Sequence, residues 1–198
     1  KIEMEILRNN EVIGYNNYFF ERDGETTTVK NQYKFEVKLL SATIFKVEGY
    51  GEEIYLNDRL ISFQSKTLQN KKEKFVSLKL DKNKKKFNIK GSSYSGEASL
   101  KNIIGNWWSH KILQAESQIS PISGSIKEQL VTFIGKENVA INGKEFETDH
   151  FKLTSKDMSL PEDKRLNFDI WLDKKTSVIV KVTYERMGNW EYRLKNIE

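Results

Sequence analysis

Residues 166–194 read LNFDIWLDKKTSVIVKVTYERMGNWEYRL. Leu166, Phe168, Ile170 and Leu172 alternate with Asn167 and Asp169. Beyond the polar turn Asp173-Lys174-Lys175, Val178, Val180, Val182 and Tyr184 alternate with Lys181 and Thr183. Beyond Met187-Gly188-Asn189, Trp190, Tyr192 and Leu194 alternate with Glu191 and Arg193. Strand side chains point to opposite faces with period two, so each run has one apolar and one wet face. Three such runs joined by short turns predict an antiparallel meander. The remainder of the chain must then pair its outer strands and cover its apolar face.

Working outward, Thr26 to Leu40 predicts the longest clear strand. Val29, Tyr33, Phe35, Val37 and Leu39 share one side, and Lys30, Gln32, Lys34, Glu36 and Lys38 share the other. Asp23-Gly24 and Asn142-Gly143 are the dipeptides that tight hairpins favour. Turn signals recur about every 8–12 residues, the spacing of sandwiches and barrels. No stretch sustains a 3.6-residue apolar period, which argues against alternating strands and helices. Residues 91–125 break the rhythm, with a short helix expected near Ser99 to Gly105. The fold predicted is all-β: one domain, residues 1–198, forming an antiparallel β-barrel or strongly curved half barrel of about 10–12 strands with a long tryptophan-bearing crossover loop.

Composition narrows the function classes. Hydrophobic residues make up 37% and aromatic residues 12%, which supports a folded core rather than disorder. Cysteine is absent, so disulfides, thiolate metal sites and cysteine nucleophiles are excluded. The net charge of +5 arises from 33 basic and 28 acidic residues, a mixed surface with a basic tilt. The chain starts at Lys1 with strand-like sequence immediately after it, a start expected either of a chain cut there or, as fits well, of one from which an export signal has been removed.

The runs Val12-Ile13-Gly14-Tyr15, Phe35-Glu36-Val37-Lys38-Leu39-Leu40, Leu60-Ile61-Ser62-Phe63-Gln64-Ser65-Lys66-Thr67 and Asp169-Ile170-Trp171-Leu172-Asp173 resemble, in order, an exported proteobacterial family of about this length that is a domain of unknown function. Residues Trp107 to Ser120 depart from its pattern. The resemblance implies a periplasmic, open or half-closed barrel, similar in outline to bacterial carriers of lipids and lipoproteins. It carries over no catalytic residue.

The most site-like cluster is Trp107-Trp108 with His110. Adjacent indoles on a loop cap a barrel mouth and stack on an apolar ligand, or else they plug the barrel end as packing. On the predicted inner face, Tyr18, Tyr33 and Phe35 accompany Gly14, Asn16 and Asn31, and Trp171 and Tyr184 complete the candidate ligand-binding set. Small and polar positions among aromatics read either as ligand space or as strand ends. Lys71, Lys72, Lys74, Lys79 and Lys82 to Lys86 read as a basic hairpin, suited to an anionic membrane surface or simply to a solvated edge. Interleaved aromatics for base stacking are sparse there, so no nucleic-acid partner is expected. Nucleophile-elbow, phosphate-loop and dinucleotide motifs are missing, and no cofactor or metal is implied. Glu52 and Glu53 fall on opposite strand faces, which makes them poor acid/base partners. The expected function is binding of an apolar or amphiphilic small molecule in the periplasm. The alternatives are docking on an envelope protein partner, and an enzyme built around His110.

Overall fold

The computed structural model describes residues 1–198. Fifteen strands form one continuous sheet. They are β1 (Ile2–Arg8), β2 (Glu11–Asp23), β3 (Thr26–Leu39), β4 (Ala42–Leu56), β5 (Arg59–Gln69), β6 (Lys72–Asp81), β7 (Lys86–Gly91), β8 (Ser95–Ser99), β9 (Ile103–Ile104), β10 (Ser117–Ile119), β11 (Ile126–Ile141), β12 (Lys144–Ser155), β13 (Asn167–Asp173), β14 (Ile179–Glu185) and β15 (Asn189–Ile197). Each strand from β1 to β7 pairs with its successor, as does each from β9 to β14, antiparallel throughout except for the parallel pair β9–β10. β1 lies antiparallel beside β15, with Arg8 opposite Trp190. That pairing joins the two halves and brings the chain ends together, where the Glu198 N–H donates to the Lys1 carbonyl at 2.9 Å.

The predicted closing meander is present as β13, β14 and β15. Twelve strands, β1–β7 and β11–β15, fall where alternation predicts strands, and β11 runs unbroken through Gly135-Lys136-Glu137-Asn138, a polar stretch that reads as a turn. The other three, β8, β9 and β10, arise inside the crossover. The short helix expected near Ser99 to Gly105 is absent: β8 ends at Ser99, β9 occupies Ile103–Ile104, and a 3-10 helix forms later, at His110–Leu113. A few apolar residues at mixed spacing suit a short strand as well as a helical turn, and pairing with β10 decides for the strand.

The sheet curves without closing, with β8 and β9 as its edges. Register shifts at Glu3/Met4, Ile6/Leu7, Val37/Lys38, Ile54/Tyr55, Phe133/Gly135 and Trp171/Leu172 insert bulges that increase local twist. Two glycines allow close approach on the inner face. A Cβ on Gly14 would lie 2.0 Å from the Lys34 carbonyl oxygen, and one on Gly49 would lie 2.6 Å from the Tyr33 ring. The Tyr33 ring therefore occupies the space over Gly49, and its hydroxyl meets Thr67 Oγ1 at 2.5 Å. At these positions glycine marks a filled contact rather than ligand space.

The crossover runs across the concave side and completes the core. Ile104 and Ile119 pack with Leu60, Phe63, Val76, Leu78, Phe87 and Ile89. Ile112 packs with Leu153, Leu166, Ile170, Ile179 and Val182. Trp107 and Trp108 pack against the cluster of Ile2, Met4, Tyr18, Val29 and Leu194. The crossover thus fills much of the concave side and leaves open space beside it.

We expect Gly14→Val to destabilise the fold by roughly 1–3 kcal/mol, because its side chain meets backbone that cannot step aside. Gly135, with nothing within 4 Å of its notional Cβ, serves as the control, and Gly135→Ala should unfold near the wild-type midpoint in urea.

Candidate functional site

β4 presents Val47, Gly49, Gly51, Glu53 and Tyr55 at alternate positions, and Glu53 is 2% exposed. Its carboxylate accepts from Trp108 Nε1 at 2.9 Å and from Asn106 Nδ2 at 2.5 Å, and also from the Tyr55 hydroxyl. Two of these donors belong to the crossover and one to the sheet. Trp108 is held further by edge-on packing against Phe20 and Tyr55, with centroids 5.5 Å and 5.9 Å away. Burial pushes the Glu53 carboxyl above the ordinary carboxylate range, and the hydrogen bonds from Tyr55, Trp108 and Asn106 oppose that shift. Burial, with the Glu53 charge next to it, also pushes the Tyr55 phenol well up.

These groups form the inner wall of a cleft of ≈ 1020 Å³ between the β4–β5 turn, the β6–β7 turn and the crossover. Leu60, Leu80, Phe87, Leu100, Ile103 and Ile104 give it an apolar lining. Arg59, Lys82, Lys85 and Lys111 stand at its edge. The upper end of the range for small-molecule sites is about 1,000 Å³, so the cleft is large enough for an acyl chain or a ring system.

A second cavity, of ≈ 210 Å³, lies between the sheet and the crossover. It gathers Asn16, Tyr18, Asn31, Tyr33, Trp107 and Tyr192. Asn31 Nδ2 donates to Asn16 Oδ1 at 2.7 Å, and Asn16 Nδ2 donates to the Tyr18 hydroxyl at 2.9 Å. The Trp107 N–H donates to the same hydroxyl at 3.2 Å. Asn16 and Asn31 thus hold the Tyr18 hydroxyl in place, that hydroxyl fastens the loop, and the space left is smaller than the roughly 300 Å³ of the smallest ordinary ligand sites.

The expected site residues are distributed among several places. Tyr18, Tyr33 and Trp107 meet at the small cavity, and Trp108 stands at the large cleft. Phe35 and Tyr184 belong to a row of rings running from Phe45 through Phe35, Trp190, Tyr184 and Phe168 to Trp107, with neighbouring centroids 5.0–6.0 Å apart. Trp171 lines neither cavity. Its indole stacks on His150 with centroids 4.4 Å apart and donates to Glu137. His110, in the 3-10 helix, also lines neither cavity, and no carboxylate or phenol is brought within hydrogen-bond reach of its ring. His150 is the more engaged histidine, with Nε2 2.9 Å from Asp169 and Nδ1 3.0 Å from Glu137.

Glu53 was missed by sequence reasoning. The signal was available in its strand: one acid on the same parity as Val47, Gly49 and Gly51 is an acid on the inner face. The basic hairpin is corrected as well. β6 separates its lysines, with Lys71 and Lys72 at one end of the sheet and Lys82 to Lys86 at the other. Lys84 and Lys86 are tied to Glu97 at 2.8 Å and 2.9 Å, and Lys82 and Lys85 border the cleft.

Residues 4–195 match the family model described as domain of unknown function DUF6134. The chain belongs to the DUF6134 family. No curated protein matches it. Among solved structures, the DUF6134 chain is similar to a β-barrel-like protein of the domain of unknown function DUF1849 from Brucella abortus. The two share 11% identity with a TM-score of 0.64, over 98% of this chain and 94% of the other. At that identity the likeness concerns the fold alone.

Glu53 yields a signed expectation. A carboxyl whose pKa is raised on folding stabilises the fold most below its unfolded value, and that contribution is lost as pH rises through the folded value. Glu53→Gln removes the ionisation, so its stability should fall less than wild type's between about pH 4 and pH 8. Paired urea titrations across that range measure the difference, and identical pH profiles would refute it.

Proposed function

We propose that this protein is a non-catalytic binding or carrier protein for an amphiphilic, lipid-like anion, taken into the cleft beside Trp108. The observation that carries this reading is the cleft itself: half of its 20 lining residues are hydrophobic, and the exposed cations Arg59, Lys82, Lys85 and Lys111 outnumber the acids Glu53 and Asp58. The apolar part of the ligand lies along Leu60, Leu80, Phe87 and Ile104, and its headgroup lies near Lys82, Lys85 and Arg59.

Magnitudes favour an amphiphile over a plain hydrocarbon. Each buried methylene is worth ~0.8 kcal/mol, so a chain of about ten gives ~8 kcal/mol. Association costs roughly 4–15 kcal/mol in lost freedom, which leaves a hydrocarbon little margin. Headgroup contacts to cations at a partly desolvated edge, each about 1 kcal/mol or less, then decide whether binding is measurable. The bacterial envelope is the compartment proposed for such a carrier.

Docking on an envelope protein through an exposed strand edge has less to support it. The edge strands β8 and β9 are short, and only Leu100-Lys101-Asn102 separates them along the chain. The enzyme reading lacks a cluster at His110.

Titration with anilinonaphthalene sulfonate, an aromatic anion, and with dodecanoate, an aliphatic one, tests the proposal. Binding should quench or shift the fluorescence of Trp108. Leu100→Asp, at a half-exposed position on the cleft wall, should weaken both ligands about tenfold, equivalent to ~1.4 kcal/mol. Equal affinities for wild type and the Leu100→Asp protein, or no binding to either, would remove the proposal.

A further inference from the structure

Four hairpin turns of this sheet place asparagine at a left-handed position and two turns at one end place a large apolar residue there, while Gly24, Lys85 and Ser177 take that conformation at three others. Asn9, Asn57, Asn70 and Asn142 each take a left-handed conformation at a turn, with φ of 49°, 50°, 53° and 50°. Asparagine tolerates that conformation, and larger apolar side chains do so poorly. In the β3–β4 turn the position is filled by Leu40, with φ 48°, and in the β14–β15 turn by Met187, with φ 51°. Neither side chain is compensated by burial, since Leu40 is 96% exposed and Met187 91%. Leu39, Ile44 and Val12, all exposed, flank them.

Sheet order places both turns on one rim. β15, β1, β2 and β3 are consecutive neighbours, so the β14–β15, β1–β2 and β3–β4 turns lie side by side. Arg8 donates to the Met187 carbonyl across this rim. The β5–β6 turn joins the row through Asn70, whose N–H donates to the Lys46 carbonyl at 2.7 Å. Across residues 8–11, 38–42, 69–72 and 185–189, the cations Arg8, Lys38, Lys71, Lys72 and Arg186 stand against only Glu11 and Glu185. The cleft opens at the opposite end of the sheet, at the β4–β5 and β6–β7 turns.

We infer that this rim docks on an anionic lipid surface, with Leu40 and Met187 entering the headgroup–acyl boundary. Exposed apolar tips held among cations match the two components of an anionic membrane interface, an apolar interior beneath negative headgroups. Burial within the chain compensates neither the leucine nor the methionine, so what covers them lies outside the chain. Docked this way, the protein directs the cleft away from the bilayer, so surface attachment and cleft occupancy are separate events.

The experiment uses the full chain with phosphatidylcholine vesicles, with and without about 30% phosphatidylglycerol, read by co-sedimentation. Wild type should partition onto the mixed vesicles, less onto phosphatidylcholine alone, and less again as salt rises. The double variant Leu40→Asn with Met187→Asn installs the residue that four other turns use. It should lose partitioning at least tenfold while its thermal midpoint holds or rises. Retained partitioning in the double variant, or none in wild type, overturns the inference. So does a wild-type oligomer in gel filtration that the variant converts to a monomer, which would make the rim a protein interface. Anilinonaphthalene sulfonate affinity should be unchanged in the variant, which keeps this result distinct from failure of the cleft proposal.

Discussion

The structure depends on a small set of buried hydrogen bonds that fasten the crossover to the concave face of the sheet. Glu53 accepts from Asn106 and from the Trp108 indole, and the Tyr18 hydroxyl accepts from the Trp107 backbone. A curved sheet that does not close has an apolar interior open to water unless something covers it. Here the chain covers itself, and the cover stays in register because polar groups leave it few other positions. An apolar loop on an apolar wall would slide, whereas a buried carboxylate needs its donors in particular places.

The same device explains the cleft. Fixing Trp108 edge-on to Phe20 and Tyr55 holds the crossover away from the β4–β5 turn, and the space between them remains as the cavity. At the second cavity the Tyr18 hydroxyl, held by Asn16, takes the Trp107 N–H and draws the loop close, and the space left is smaller. One loop thus seals one part of the concavity and props open another. Glu53 lines the cleft beside Asn106, which borders both cavities, and burial raises the affinity of its carboxyl for a proton.

The two ends of the molecule differ in kind. One end carries the cleft, with Lys82, Lys85 and Arg59 beside its mouth. The other carries Leu40 and Met187 in turn positions where the backbone favours asparagine. Local preference and local sequence agree at the turns of Asn9, Asn57, Asn70 and Asn142, and large apolar residues go against that preference at these two. Such disagreements concentrate where something other than stability is being served.

Much of the fold was legible in the sequence. The alternation from Leu166 to Leu194 specified β13 to β15, and Thr26 to Leu40 specified β3, because a period of two has only one structural meaning when one face must be dry. The inward parity of Tyr18, Tyr33 and Glu53 follows from the same rule. What alternation does not encode is which inward residue meets which, because those contacts cross long sequence separations. Tyr33 lies over Gly49, Trp108 reaches Glu53, and β1 pairs with β15 from opposite ends of the chain. Sequence by itself determined a curved antiparallel sheet with a tryptophan-bearing crossover. Tertiary structure alone decided that the crossover lies inside, that Glu53 holds it there, and that the lysines on either side of β6 belong to opposite ends, because curvature and closure are sums over many strands that no single strand records.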